Sequence, residues 1–234
     1  MPEARLGKAF VNLADALVNG YETLDFLYLL CDRCRDVLQA DAAGVLLSTD
    51  DDTLQLTAAA PEDDDVLELC EMQSQDGPCR DAFTTGKPVI QHNLAAAFDR
   101  WPDFAPRALE FGFHAVFAFP LHLRDPRIGA LTVLRYGSGS FDERDLQVGQ
   151  ALADVATIGV VQDRMVRQAY QRSEQLQAAL NSRVLIEQAK GVLAERLAVE
   201  LGTAFETMRR HARNHSRPLR AVCQAVIDGD LTLG

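Results

Sequence analysis

The chain has 234 residues, a formal net charge of -11 and 47% hydrophobic residues, which suits one large soluble domain or a medium domain with a small one. No apolar run is long enough to cross a bilayer. The first twenty residues lack the basic start and apolar core of a secretory signal, so a cytoplasmic protein is expected. The five cysteines (Cys31, Cys34, Cys70, Cys79 and Cys223) are odd in number and irregular in spacing, which argues for reduced thiols over a disulfide framework.

The N-terminus reads as an amphipathic helix. Residues 22–40 repeat apolar side chains at helical spacing, with Leu24, Leu27, Leu30, Cys31, Cys34 and Leu38 on one side. Residues 42–49 and 54–60 predict an antiparallel hairpin around the acidic run Asp50–Asp52, a solvated turn in preference to a metal site. Residues 62–79 predict a helix stopped at Asp76-Gly77-Pro78, and 88–93 a short strand. A helix follows over 101–113, then two buried strands at 114–123 and 127–137 joined by Arg124-Asp125-Pro126. Residues 141–198 contain no proline and only Gly149, Gly159 and Gly191, so they predict one very long helix or two fused ones. This order implies an α+β domain with an antiparallel sheet flanked by helices.

Charge divides the chain. Residues 1–165 hold 13 basic and 27 acidic residues, net -14; residues 166–234 hold 10 basic and 7 acidic, net +3. An acidic body with a basic tail suggests two modules with different partners. The tail reads as three helices. The first is the end of the long helix, and the second starts at Thr203 with a capping-box pair to Glu206. The third is capped by Ser216, has Pro218 in its first turn and ends at Gly229. In the second helix Phe205, Met208 and Ala212 share a stripe, and Arg209, Arg210 and Arg213 lie beside it. Arginine forks pair with phosphate and stack on bases, so this edge suits nucleic acid as well as solvent.

Two stretches resemble known families. "DGPCRDAFTTGKPVI", "WPDFAPRALEFGFHAVFAFPL" and "IGALTVLRYGSGSFDERDL", with the element order around them, resemble GAF domains over roughly residues 10–160. "RVLIEQAKGVLAERL" followed by "TAFETMRRHARNHSRPLRAVCQAVI" closely resembles the ANTAR domain. The resemblance implies a GAF sensor (1–160), a helical coiled-coil connector (161–181) and a three-helix ANTAR module (182–234). It also implies a homodimer that binds hairpin loops of nascent RNA and prevents a terminator from forming, with the GAF state setting the ANTAR geometry.

On this reading Lys190, Arg209, Arg210 and Arg213 contact phosphates or loop bases. Arg183, Gln188, Asn214, Arg217 and Arg220 form a second line, small Ala189 and Gly191 permit close approach, and Phe205 is a base-stacking or core ring. Val166, Ala169, Leu176 and Leu180 space a short coiled-coil seam interrupted by Ser173.

The GAF ligand is open: a small molecule is implied, but neither the cysteine–histidine pair of a bilin site nor the "NKFDE" set of a cyclic-nucleotide site is evident. Cys79, Trp101, Phe111, His114 and Phe117 are the candidate pocket residues, with Cys79 a redox candidate at a helix start and His114 or His122 a haem-ligand candidate. Cys31 and Cys34 form a C-x-x-C best read as inward-facing, and His211 and His215 an i, i+4 pair without a third metal ligand. Two other functions stay open: a helix-turn-helix DNA regulator, against which the proline-bearing "HSRPL" turn counts, and a haem or redox sensor. No nucleophile–base pair, phosphate loop or metal cluster points to an enzyme, and neither DNA nor membrane is an expected partner.

Overall fold

The computed structural model describes residues 2–49, 51–122, 127–137, 141–231 and 233. The turn predicted at Arg124–Pro126 and Asp50 of the acidic run lie outside them. The chain forms two compact units, residues 1–164 and 165–234.

In the first unit, α1 (Pro2–Val18) and α2 (Thr23–Leu38) precede a hairpin of β1 (Ala42–Ser48) and β2 (Leu54–Ala60). Then come α3 (Asp64–Met72), α4 (Pro78–Thr85), β3 (Val89–Gln91), a 3-10 turn at Leu94–Ala96, α5 (Phe104–Glu110), β4 (Ala115–His122) and β5 (Arg127–Arg135). The five strands form one antiparallel sheet in the order β2-β1-β5-β4-β3. Strands β4 and β5 are buried along nearly their whole length because both faces are covered. Alternation sorts their side chains: Phe117, Phe119, Leu131 and Val133 meet α1, α2 and the start of α6 (Glu143–Leu197), whereas Val116, Ala118, Ala130 and Leu134 meet α3, α4 and α5.

Local chemistry accounts for the boundaries. Asp63 caps α3 by accepting from Val66 N–H at 2.9 Å. This helix ends at Met72, four residues before the predicted stop, and Pro78 then opens the separate helix α4. Gly77 between them has φ 145, and a Cβ there would sit 2.9 Å from Gln73 Cγ. In α2, Phe26 occupies the core and Leu24 is 46% exposed, a correction to the predicted apolar face. Thr23 opens this helix, so Leu24 lies in its first turn. Within the first unit, α6 lies close enough to α1 and α2 that a Cβ at Gly159 would come within 2.7 Å of Phe26 Cε1 and 2.8 Å of Leu17 Cδ2.

In the second unit the end of α6, α7 (Leu201–Asn214) and α8 (Leu219–Asp228) enclose Ala189, Leu193, Ala204, Met208, Ala212, Val222, Cys223 and Val226. The end of α6 takes a left-handed turn at Ala198 (φ 52), with Val199 N–H donating back to the Ala194 carbonyl. Helix α7 therefore starts two residues before the predicted Thr203, with Glu200 at its cap, and no capping box forms. Ser216 does not cap α8 either. It holds the left-handed turn that ends α7 (φ 51), while Arg217 N–H bonds to Ala212 O at 2.9 Å. Pro218 is the cap residue of α8, and Gly229 ends that helix at φ 84.

Gly129 and Gly191 separate tight packing from open space. A Cβ at Gly129 (φ 158) would collide with the backbone oxygen of Leu46 on the paired strand, whereas one at Gly191 would meet nothing within 4 Å. Gly129→Ala is expected to destabilise the first unit by about 2 kcal/mol or more, and Gly191→Ala to stabilise the second by up to about 1 kcal/mol. Thermal unfolding followed by circular dichroism checks both signs.

Candidate nucleic-acid interface

Helix α7 presents its basic edge because its other edge is core. Met208 is fully buried and Ala212 is 6% exposed, while Arg209, Arg210 and Arg213 are exposed beside them. Lys190 comes from α6 and meets this edge at Phe205. The Lys190 Nζ lies 5.8 Å from the centroid of the Phe205 ring, and the Arg209 guanidinium carbon lies 5.7 Å from it. Phe205 is thus a half-buried ring flanked by two cations, both core and surface at once. Each cation also has an acid on its own helix: Lys190 pairs with Glu187 at 2.9 Å, and Arg209 with Glu206 at 3.3 Å. Both are i, i+3 contacts with exposed acids, although the Lys190 side chain itself is only 19% exposed, and pairs of this kind are weak enough to exchange for a phosphate.

Beyond Arg209 lies a depression of about 430 Å³ walled by Arg209, Arg213 and Arg217 and floored by Ala212, Pro218 and Leu219. Ser216, in its left-handed turn, folds the chain so that Arg217 lines the same depression as Arg213. Sequence reading found the three arginines but not the apolar floor, because the floor exists only where α7 turns into α8. It also missed the Glu187 and Glu206 partners, which the i, i+3 spacing could have revealed.

The other sequence candidates divide. Gln188 and Gly191 are exposed on α6 beside Lys190, and Arg183, Asn214 and Arg220 are exposed as well. Ala189 is a correction: it is fully buried in the three-helix core and offers no surface to a ligand. The open space around Gly191 removes helix packing as the reason for this glycine. His211 and His215 stack with centroids 4.0 Å apart, and His215 Nδ1 lies 3.0 Å from the His211 carbonyl oxygen, to which it donates. No group of three or more metal-ligating side chains occurs among the described residues.

The five GAF pocket candidates are not brought together. Cys79 and Trp101 lie in the layer of α3, α4 and α5, whereas Phe117 points to the opposite face of the sheet and packs on Phe141 at 3.8 Å. The period of two along β4 sends alternate residues to opposite faces, which separates Phe117 from the others. His114 is exposed at the start of β4. Phe111 is half-buried beneath Arg107, whose guanidinium carbon lies 4.1 Å from the ring centroid. Trp101 is a fastener: its Nε1 donates to Asp81 at 3.1 Å, and Arg100 pairs with the same carboxylate.

Cys79 is also corrected as a redox candidate. Burial pushes its thiol well above the ordinary value, neighbouring Cys70 adds to the rise, and the Thr132 hydroxyl opposes it. Desolvation overrides the helix N-terminus here. Cys70 is pushed up to about 12 by burial, and Cys31 and Cys34 face inward and rise for the same reason.

A GAF-domain family model matches residues 24–161 and an ANTAR-domain model matches residues 174–227. The chain is a GAF-ANTAR protein. No curated protein matches it. Among solved structures, the GAF domain of a phosphoenolpyruvate-protein phosphotransferase from Coxiella burnetii is 16% identical, with 70% of this chain and 98% of that one covered at a TM-score of 0.57. The corresponding Acinetobacter domain is 12% identical, covering 68% and 94% at 0.55. A free methionine-R-sulfoxide reductase from Neisseria meningitidis, determined in complex with its substrate, is 18% identical, covering 71% and 92% at 0.56. These identities establish the GAF fold. The GAF domain is a sensor module, and the ANTAR domain is the RNA-binding module of antitermination regulators.

The histidine pair gives the ANTAR unit a pH dependence. Desolvation, His215 and Arg217 hold His211 below the ordinary histidine value. The unfolded chain then binds more protons than the folded one, so stability falls as pH drops through about 6.5 and levels off below the folded value. Unfolding midpoints of the full chain between neutral and mildly acidic pH should show this loss, and His211→Gln should reduce it. The thiols make a second test: all five cysteines are buried, so a thiol reagent should label the native protein slowly and react at once after unfolding.

Proposed function

We propose that this GAF-ANTAR protein is a homodimeric antitermination regulator in which the state of the GAF domain controls how tightly the ANTAR domain holds hairpin loops of nascent RNA. One observation carries the RNA part: the cation-flanked ring of Phe205 adjoins a depression walled by three arginines. Of these arginines, Arg213 and Arg217 have no acidic partner among the described residues. A single-stranded loop offers what such a face lacks. Its phosphates match guanidinium forks, its splayed bases match an aromatic edge and an apolar floor, and its backbone can lie against bare Gly191. Duplex DNA, whose major groove is read by an inserted helix or ribbon, is not the expected partner.

The connector supports the dimer. Every residue from Met165 to Asn181 is exposed, including Val166, Leu176 and Leu180. A helical stretch this length gains no stability from packing unless another chain covers it. A second copy aligned on the Val166–Leu180 seam does so, and the polar Ser173 keeps that seam soft enough to shift. On the sensor side, Gln73 Oε1 is buried without a partner among the described residues. A small polar ligand is the signal that would satisfy such a group. The chain acts by binding and not by catalysis, since its buried thiols are poor nucleophiles. A nascent transcript as its ligand implies a cytoplasmic protein, and among the described residues no helix is long and apolar enough to cross a membrane.

Binding to a two-hairpin RNA and to a matched DNA duplex across salt tests this reading. The wild type should prefer RNA. The Lys190→Ala/Arg209→Ala double variant should bind more weakly and flatten the log–log salt slope by roughly 1.4, about 0.7 for each phosphate it no longer neutralises. Equal or tighter binding to the duplex would overturn the reading.

A further inference from the structure

A second group of cations lies in the acidic GAF unit, where the RNA-binding function does not require one. Between α1 and α2 is a depression of about 370 Å³ lined by Arg5, Lys8, Ala9, Arg33, Asp36 and Val37. Arg5 and Lys8 stand one turn apart on α1, exposed and without an acidic partner among the described residues. Arg33 enters from α2 with its side chain only 28% exposed. Its Nη1 donates to Asp36 Oδ2 at 2.9 Å, but its Nε is buried and has no acceptor.

Three cations converge on one acid in a region whose sequence carries a net charge of -14. Self-repulsion opposes bringing Arg5, Lys8 and Arg33 together around a single carboxylate, so their convergence suits an anion. Arg33 Nε is also an unsatisfied donor among the described residues, and such a donor costs free energy that an acceptor restores. A carboxylate ligand would leave one positive charge uncompensated. A phosphate dianion balances the set, and its several oxygens can accept from more than one cation at once.

We propose that this depression binds the phosphate group of a small phosphorylated ligand. The site lies outside the sheet-face layers where Gln73 and Thr132 are buried, and it is independent of the RNA face. Its occupant links α1 to α2, so the ligand reports on how firmly the N-terminal helix is held to the sensor.

Isothermal titration of the full chain with pyrophosphate at constant ionic strength tests the site. Arg33→Gln should weaken binding by about tenfold or more. Asp36→Asn should strengthen it, because it removes the competing carboxylate and frees Nη1. That gain cannot come from misfolding, and circular dichroism verifies that each variant is folded. Lys87→Gln, an exposed cation elsewhere in the GAF unit, should leave the affinity unchanged, and Arg213→Gln/Arg217→Gln, which removes only the phosphate contacts of the ANTAR unit, should leave the Arg33-dependent binding in place. The proposal fails if Arg33→Gln binds like the wild type, if Asp36→Asn weakens binding, or if only the ANTAR variant loses it.

Discussion

One backbone ladder serves two hydrophobic cores. Helix α6 runs unbroken for 55 residues. It gives Leu152, Ala153, Ala156 and Val160 to the core of the GAF unit, and Ala189 and Leu193 to that of the ANTAR unit. Each end is stabilised by burial within the chain, whereas every residue of Met165–Asn181 is exposed. The absence of proline over this span is therefore a structural requirement, since a ring here would remove a ladder bond with no packing from the same chain to compensate.

The two units use charge in opposite ways. Acids in the GAF unit cap helices and fasten loops: Asp63 caps α3, Asp81 holds Trp101 and Arg100, and Arg107 grips Glu68 through two parallel bonds of 2.7 and 3.0 Å. Arginine in such places is structural, its fork already filled. On the ANTAR face the guanidiniums of α7 are exposed, and Lys190 and Arg209 pair with Glu187 and Glu206 on their own helices. Arg196 is instead spent on the Val226 carbonyl to hold α8 to α6. A filled fork and an open fork have the same composition, so only the partners distinguish scaffold from interface.

Phe205 shows why a choice between core residue and stacking platform was too sharp. The ring sits at the rim of the three-helix core, one side on apolar neighbours and the outer side between two cations. Ala189 resolves the other way, because its methyl faces the core and leaves Gly191 as the bare position on that stretch of α6.

Most of the architecture was legible from periodicity and punctuation alone. The helical spacing of 22–40, the alternation around the hairpin, the two continuous apolar strands and the long proline-free stretch each report a local backbone geometry, and local geometry is what sequence encodes most directly. The split between an acidic and a basic half also needed no coordinates. Tertiary structure decided what depends on residues distant in sequence. It put Phe117 on the opposite side of the sheet from Cys79 and buried the Cys79 thiol against its helix dipole. It moved the start of α7 to Leu201 through a left-handed Ala198, and it built the arginine-walled depression where Ser216 turns the chain. Burial and convergence are properties of the packed whole, and no spacing rule along a single element can report them.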